Sequence, residues 1–123
     1  MIFGIGTDIV RTDRLRSAVE RWGERFLKRV FTDSEVSYAY QKKDPFLSLA
    51  ARFAAKEALI KAIGKRSAVA LSDIEIINNE AGDPSISPRG NLRTYFENEN
   101  VRHAHVSLSH EDDYSIAFVI VEK

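Results

Sequence analysis

The stretch from Asp44 to Gly64, DPFLSLAARFAAKEALIKAIG, decides how this chain folds. Asp44 suits a helix N-cap, and Pro45 suits the first helical position, where a missing N–H costs nothing. Gly64 suits the end, because it tolerates the backbone turn that closes a helix. Between them lie mostly alanine, leucine and other strong helix formers. Phe46, Leu49, Phe53 and Ile60 mark an apolar side. This spacing predicts the longest helix of the chain.

Glu57 and Lys61 stand one turn apart in that helix. Two such residues often form a surface ion pair, worth roughly 0.3–0.5 kcal/mol. Their neighbours favour another reading. On a helical wheel Glu57 falls between Phe53 and Ala50, and Lys61 beside Ala54, so both interrupt an apolar face. Arg52 and Lys56 fall on a different side, which reads as the solvated one. A carboxylate and an ammonium in an apolar stripe predict a polar site at the edge of the core.

Upstream, Met1 to Val10 is apolar and β-branched, and reads as a strand. Gly4 and Gly6 inside it predict close backbone packing or a bulge. Thr12 or Asp13 can then cap a helix whose buried side carries Leu15, Val19, Trp22, Phe26 and Val30. Gly23 interrupts that spacing and offers a break into two helices. Thr32 followed by Glu35 is a capping box, opening a short helix through Val36 and Tyr40 to near Lys43.

Downstream, Ile74 to Ile77 reads as a strand, followed by a turn from Asn78 to Pro84. Ser87-Pro88 reads as the start of a short helix through Leu92, Tyr95 and Phe96. From His103 to Ser109 the pattern alternates, with Ala104, Val106 and Leu108 on one face. After a turn at Glu111-Asp112-Asp113, Tyr114 to Val121 is apolar enough for a central strand. The order predicts an α+β fold, a mostly antiparallel sheet packed against a long helix and shorter helices. The 123 residues read as a single domain, 1–123.

Composition narrows the partners. Hydrophobic content of 44% is that of an ordinary globular protein, and 18 basic residues balance 18 acidic ones. Nucleic acid and membrane are therefore not expected partners, and electrostatic recognition must be local. No apolar run is long enough to span a bilayer. The absence of cysteine excludes disulfides and thiolate metal sites. With no basic segment ahead of its first apolar residues, the N-terminus does not read as a signal peptide, and a cytoplasmic location is expected.

Asp8 is the anomaly of the first strand. A carboxylate there either caps the next segment or meets a cation or donor, since an unpaired buried charge is costly. Together Asp8 and Glu57 would give two carboxylates to a hard cation. Mg²⁺ typically takes one or two and completes its shell with water and phosphate. Lys61 would add a point charge for a phosphate oxygen. Such a set suits phosphoryl transfer, which depends on positioning and charge neutralisation.

Other motifs fall away. Gly4-Ile5-Gly6-Thr7-Asp8-Ile9 lacks the third glycine of a dinucleotide fingerprint, and its glycines lie within the strand. His103, His105 and His110 read more readily as ordinary polar-face or turn histidines than as a metal site. Arg14, Arg21, Arg25 and Lys28 share one helical stripe if the helix continues past Gly23. The stripe is either a solvated basic face or a dock for an acidic partner. A non-catalytic module that binds an acidic protein through this helix is the rival reading to an enzyme.

Gly4-Ile5-Gly6-Thr7-Asp8-Ile9 and Arg52-Phe53-Ala54-Ala55-Lys56-Glu57-Ala58-Leu59-Ile60-Lys61-Ala62 resemble the two signature motifs of the holo-acyl-carrier-protein synthases, the short bacterial-type 4′-phosphopantetheinyl transferases. Phe31-Thr32-Asp33-Ser34-Glu35, Gly82-Asp83-Pro84 and His105-Val106-Ser107-Leu108-Ser109-His110 resemble further family segments. The resemblance covers nearly the whole chain. It implies transfer of the phosphopantetheine arm from coenzyme A to a serine of acyl carrier protein, in support of fatty acid biosynthesis. It implies Mg²⁺ held by Asp8 and Glu57, Lys61 on phosphate, and adenosine 3′,5′-bisphosphate as the leaving group. Glu57, a metal-bound water or a late-strand histidine such as His105 would act as base. The nucleotide would be held from among Lys42, Lys43, Arg52, Lys61, Gly64, Lys65, Arg66 and His110, and the carrier by Arg14, Arg21, Arg25 and Lys28. A homotrimer with active sites between subunits is implied too. Asp83 departs from the lysine often found there, and Val10 stands where larger relatives carry a second acid.

Overall fold

The computed structural model describes residues 1–64 and 67–123. In chain order the elements are β1 (Ile2–Arg11), α1 (Thr12–Trp22), α2 (Glu24–Val30), α3 (Asp33–Tyr40), α4 (Pro45–Ile63), a 3-10 turn (Leu71–Asp73), β2 (Ile74–Asn78), β3 (Pro84–Pro88), α5 (Gly90–Asn98), β4 (His103–His110) and β5 (Tyr114–Glu122). The fold is α+β, and every strand pairing is antiparallel.

β5 is the central strand of a three-stranded sheet, β1-β5-β4, and β2 and β3 form a separate hairpin. Alternate residues of β5 separate its two faces. Ser115, Ala117, Val119 and Val121 are buried against α4, while Tyr114, Ile116 and Phe118 stay exposed. The core runs along α4, where Ala54, Ala55, Ala58 and Leu59 meet Val119, Val121, Ile74 and Leu92. A second cluster, built on Leu15, Val30, Phe31 and Leu49, covers the other end of α4. No helix among the described residues is long and apolar enough to cross a membrane.

The end signals of α4 act as expected. Asp44 accepts from the Phe46 N–H at 3.0 Å, Pro45 takes the first position, and the Gly64 N–H closes the helix on the Ile60 carbonyl. The Thr32–Glu35 capping box forms as well. Gly23, at φ 58°, ends α1 and turns the chain into α2, so the long amphipathic stretch is broken there, and Trp22, expected on the buried side, is 54% exposed beside the break. Neither Thr12 nor Asp13 caps α1; the N-cap is Arg11, without a side-chain cap.

Two expectations are corrected. Residues Pro84–Pro88 form a strand, and the following helix starts at Gly90 and not at Ser87-Pro88. Pairing with β2 overrides a sequence of serines and prolines that is poor in strand formers. The second correction concerns Arg52 and Lys56. They are 4% and 0% exposed, not solvated. The stripe of α4 that keeps exposure carries Phe53, Glu57, Ile60 and Lys61, so a wheel that reserves the Arg52 and Lys56 side for water misplaces them.

Lys56 survives burial because all three of its ammonium protons have acceptors. It pairs with Glu35 at 2.7 Å and donates to the carbonyls of Leu71, at 3.0 Å, and Ile74. Glu35 in turn accepts from the backbone N–H groups of Thr32 and Ile76. This polar knot ties α3, α4 and β2 together. Even so, burial lowers the pKa of Lys56 against the opposing pull of Glu35.

Candidate functional site

The first part of the site is made by the contact of β1 with α4. From Gly4 onward the even-numbered residues of β1 face the helix. A Cβ on Gly4 would overlap the carbonyl of Ala62, and one on Gly6 that of Ala58. The two backbones therefore touch, which only glycine permits. Two residues along the strand match four along the helix, so Glu57 lies in level between Gly6 and Asp8. β1 is an edge strand, so this junction opens to solvent.

Asp8 is the next inward residue, and its side chain keeps 17% exposure. Lys61 reaches it from α4, with Nζ 3.0 Å from Asp8 Oδ1 and 3.0 Å from the Thr7 carbonyl. Glu57, one helical turn before Lys61, is half-buried on the same side of α4. The junction thus brings Asp8 and Lys61 into contact from opposite ends of the motif pair, with Glu57 beside them. Among the described residues no three His, Cys, Asp or Glu gather as a metal site. A cation here would depend on the Asp8 and Glu57 carboxylates, a donor set that fits Mg²⁺ and suits neither a thiolate nor a histidine metal.

The second part is a cleft of about 870 Å³ between α3, the start of α4, the β2–β3 turn and the end of β4. It gathers Lys42, Lys43, Arg52 and His110, all read from the sequence as nucleotide contacts, around an apolar floor that includes Leu47 and Leu108. Arg52 is fixed by Ser48 Oγ at 2.9 Å and by Asn78 Oδ1, while its Nε is buried without a hydrogen-bond partner. Burial lowers its pKa, and Glu35 and Tyr38 oppose that shift. The cleft does not include Asp8, Glu57 or Lys61.

Other predicted residues stand elsewhere. His105 lies on the opposite face of β4 from Leu108 and His110. It contacts Glu122 at 2.5 Å, and that hydrogen bond holds the Glu122 carboxyl below its ordinary value. Gly64 caps α4 and is not a lining residue of the cleft. Lys65 and Arg66 lie outside the described residues. Arg14 and Arg21 are exposed on α1, and Arg25 and Lys28 on α2, beyond the break at Gly23. Asp83 is engaged in its own turn, bonding Asn79 through both backbone and side chain.

Asn78 and Tyr38 are among the cleft residues that escaped the sequence reading. Asn78 both accepts from Arg52 and donates to the Gly82 carbonyl at 2.9 Å. Tyr38 presents its ring to Lys42 and Arg52. Neither belongs to a charge pattern; the only signal was position, at a strand end and one turn before Lys42.

Comparison with known proteins identifies the family and the fold. Residues 4–119 match the family described as the 4′-phosphopantetheinyl transferase superfamily. A holo-(acyl-carrier-protein) synthase of Thermodesulfovibrio yellowstonii is 42% identical over 121 residues, covering 98% of this chain and 99% of the relative. One of Nitrosospira multiformis is 43% identical over 125 residues, covering 100% of both. The crystal structure of the Neisseria meningitidis synthase superposes with a TM-score of 0.92 at 38% identity, covering 100% of both chains. The Helicobacter pylori synthase, solved in complex with coenzyme A, gives 0.80 at 33% identity, covering 96% of this chain and 99% of that one.

Proposed function

The chain belongs to the 4′-phosphopantetheinyl transferase superfamily, and from that premise we propose that it is a holo-(acyl-carrier-protein) synthase. In this reading it moves the phosphopantetheine arm of coenzyme A onto a serine of apo-acyl carrier protein and releases adenosine 3′,5′-bisphosphate. Residues 1–123 act as one catalytic domain, in the cytoplasm, in the service of fatty acid biosynthesis. The observation that carries it is the contact of Lys61 with Asp8 across the glycine–alanine junction, beside Glu57.

The residues divide the work. Asp8 and Glu57 would hold Mg²⁺, which supplies charge neutralisation at the pyrophosphate when bound. Lys61, half-exposed, is placed to meet a phosphate oxygen. Lys42, Lys43, Arg52 and His110 would receive the nucleotide in the cleft, with the 3′-phosphate at the cations. The serine hydroxyl attacks the β-phosphate and gives up its proton to a base of the site, for which Glu57 is a candidate, while the phosphoanhydride bond breaks and its electron pair leaves with adenosine 3′,5′-bisphosphate.

Where these two parts lie supports an assembly reading. The carboxylates sit at the β1 edge of the sheet and the cleft at the β4 edge. A head-to-tail ring brings one edge to the other, which is how heterologous contacts close. The sheet face turned away from α4 supplies the apolar contact: Ile5 is 59% exposed, Ile9 60%, Ile116 43% and Phe118 43%. A homotrimer would complete each site between subunits.

The test is direct. The chain is incubated with coenzyme A, Mg²⁺ and unmodified carrier protein, and the carrier is weighed intact. A gain of one phosphopantetheine is expected. An unmodified carrier sinks the reading.

A further inference from the structure

Tyr38 belongs to α3, and Lys42 follows it by one turn, just past the helix end. Lys42 Nζ stands 4.8 Å from the centre of the Tyr38 ring, and Arg52 Cζ stands 4.4 Å from it. All three residues line the same cleft. Two cations that approach one ring repel each other, yet the electron-rich ring face attracts both.

Their other restraints differ. Arg52 is buried and hydrogen-bonded to Ser48 and Asn78. Lys42 is exposed on a long flexible stem. Without the ring, repulsion from Arg52 and the gain of rotamer freedom would both draw Lys42 into solvent. The ring is thus the feature that keeps a mobile cation next to a fixed one.

We propose that Tyr38 is a positioning residue that pairs Lys42 with Arg52 at the cleft and so sets the discrimination for a terminal phosphate on the nucleotide. The inference rests on the reading of the cleft as the nucleotide site. Tyr38 itself transfers no proton and touches no reacting atom. The ring face holds Lys42, so phenylalanine serves for that cation as well as tyrosine.

The experiment measures the ratio of KM for dephospho-coenzyme A to KM for coenzyme A. A change in folded fraction cancels from this ratio. Lys42→Ala is expected to lower it, and Tyr38→Leu to lower it by roughly three- to tenfold. Tyr38→Phe should restore it. The double variant Tyr38→Leu/Lys42→Ala should lose less than the product of the single losses. If Lys42→Ala leaves the ratio unchanged, the nucleotide reading of the cleft fails and takes this inference with it. If Lys42→Ala lowers the ratio but Tyr38→Leu does not, the positioning role alone is overturned. Failure of Tyr38→Phe to restore the ratio, or fully multiplicative losses, would overturn it too, because the hydroxyl or a direct ligand contact would then be at work.

Discussion

Lys56 and Glu35 form an ion pair 2.7 Å long in which neither side chain keeps any exposure. The pair joins the residue next to Glu57 to the capping box of α3. Removing one member leaves the other charge buried and unpaired, which typically costs about 3–5 kcal/mol. Glu35→Ala and Lys56→Ala should each show that loss in urea unfolding. The apolar double variant Glu35→Leu/Lys56→Met should lose much less than the two single losses combined. Additive losses would mean that the two charges do not depend on each other.

Asp8→Ala and Glu57→Ala should each abolish Mg²⁺-dependent transfer. Asp8 is partly exposed at an open strand edge and Glu57 is half-buried, so neither truncation empties the core. Circular dichroism should remain that of the parent. Normal turnover by either variant would remove it from the metal site.

Glu75 predicts an acid response. Burial raises its carboxyl pKa, but the hydroxyls of Thr32 and Ser34, with Arg89, outweigh burial and bring it below the ordinary 4.5. A carboxyl so lowered stabilises the fold at pH above the unfolded-state value, and that stability is lost as pH falls through the folded-state value. Glu75→Gln should therefore be less stable at neutral pH, by roughly 1 kcal/mol given its partly solvated partners. The difference should shrink on acidification. A gap that stays constant down the acid limb would contradict the assignment.

The break at Gly23 separates the basic residues by helix. Arg14→Glu and Arg21→Glu, on α1, should raise KM for carrier protein severalfold and leave KM for coenzyme A nearly unchanged. Arg25→Glu and Lys28→Glu, on α2, should do less. Exposed charges mainly steer encounter, so added salt should erase the difference. A carrier KM that ignores both α1 reversals and salt would return these residues to an ordinary solvated face.

Ile9→Asp or Phe118→Glu places a charge on the apolar sheet face away from the carboxylates' helix side. If that face is the ring contact, light scattering should report trimers for the parent and monomers for the variants. A monomeric parent at working concentration would refute the assembly.

The sequence made the long helix, the capping box, the central closing strand and the close β1 packing readable, because each depends on local rules at a few positions: Asp44, Pro45, Gly64, Thr32, Glu35, Gly4 and Gly6. Spacing and family resemblance together pointed to Asp8, Glu57 and Lys61 as one site, but the direct Lys61–Asp8 contact was seen only in the structure. What stayed hidden depends on long-range packing. β3 exists because β2 pairs with it, and Arg52 and Lys56 are buried because other elements close over α4. The role of Asn78 and the ring of Tyr38 need the cleft itself to be seen.

At Gly4 and Gly6 the strand and helix meet through main chain alone. Most packed surfaces adjust to a mutation by turning a side chain; this one has no side chain to turn. The seam works as a mechanical gauge, fixing how far along the helix Asp8 must fall. Substitutions elsewhere in the core can lower stability while leaving the spacing of Asp8 to Glu57 unchanged. A methyl added at Gly6 has the reverse signature, dislodging the strand and with it the calibration of the catalytic edge.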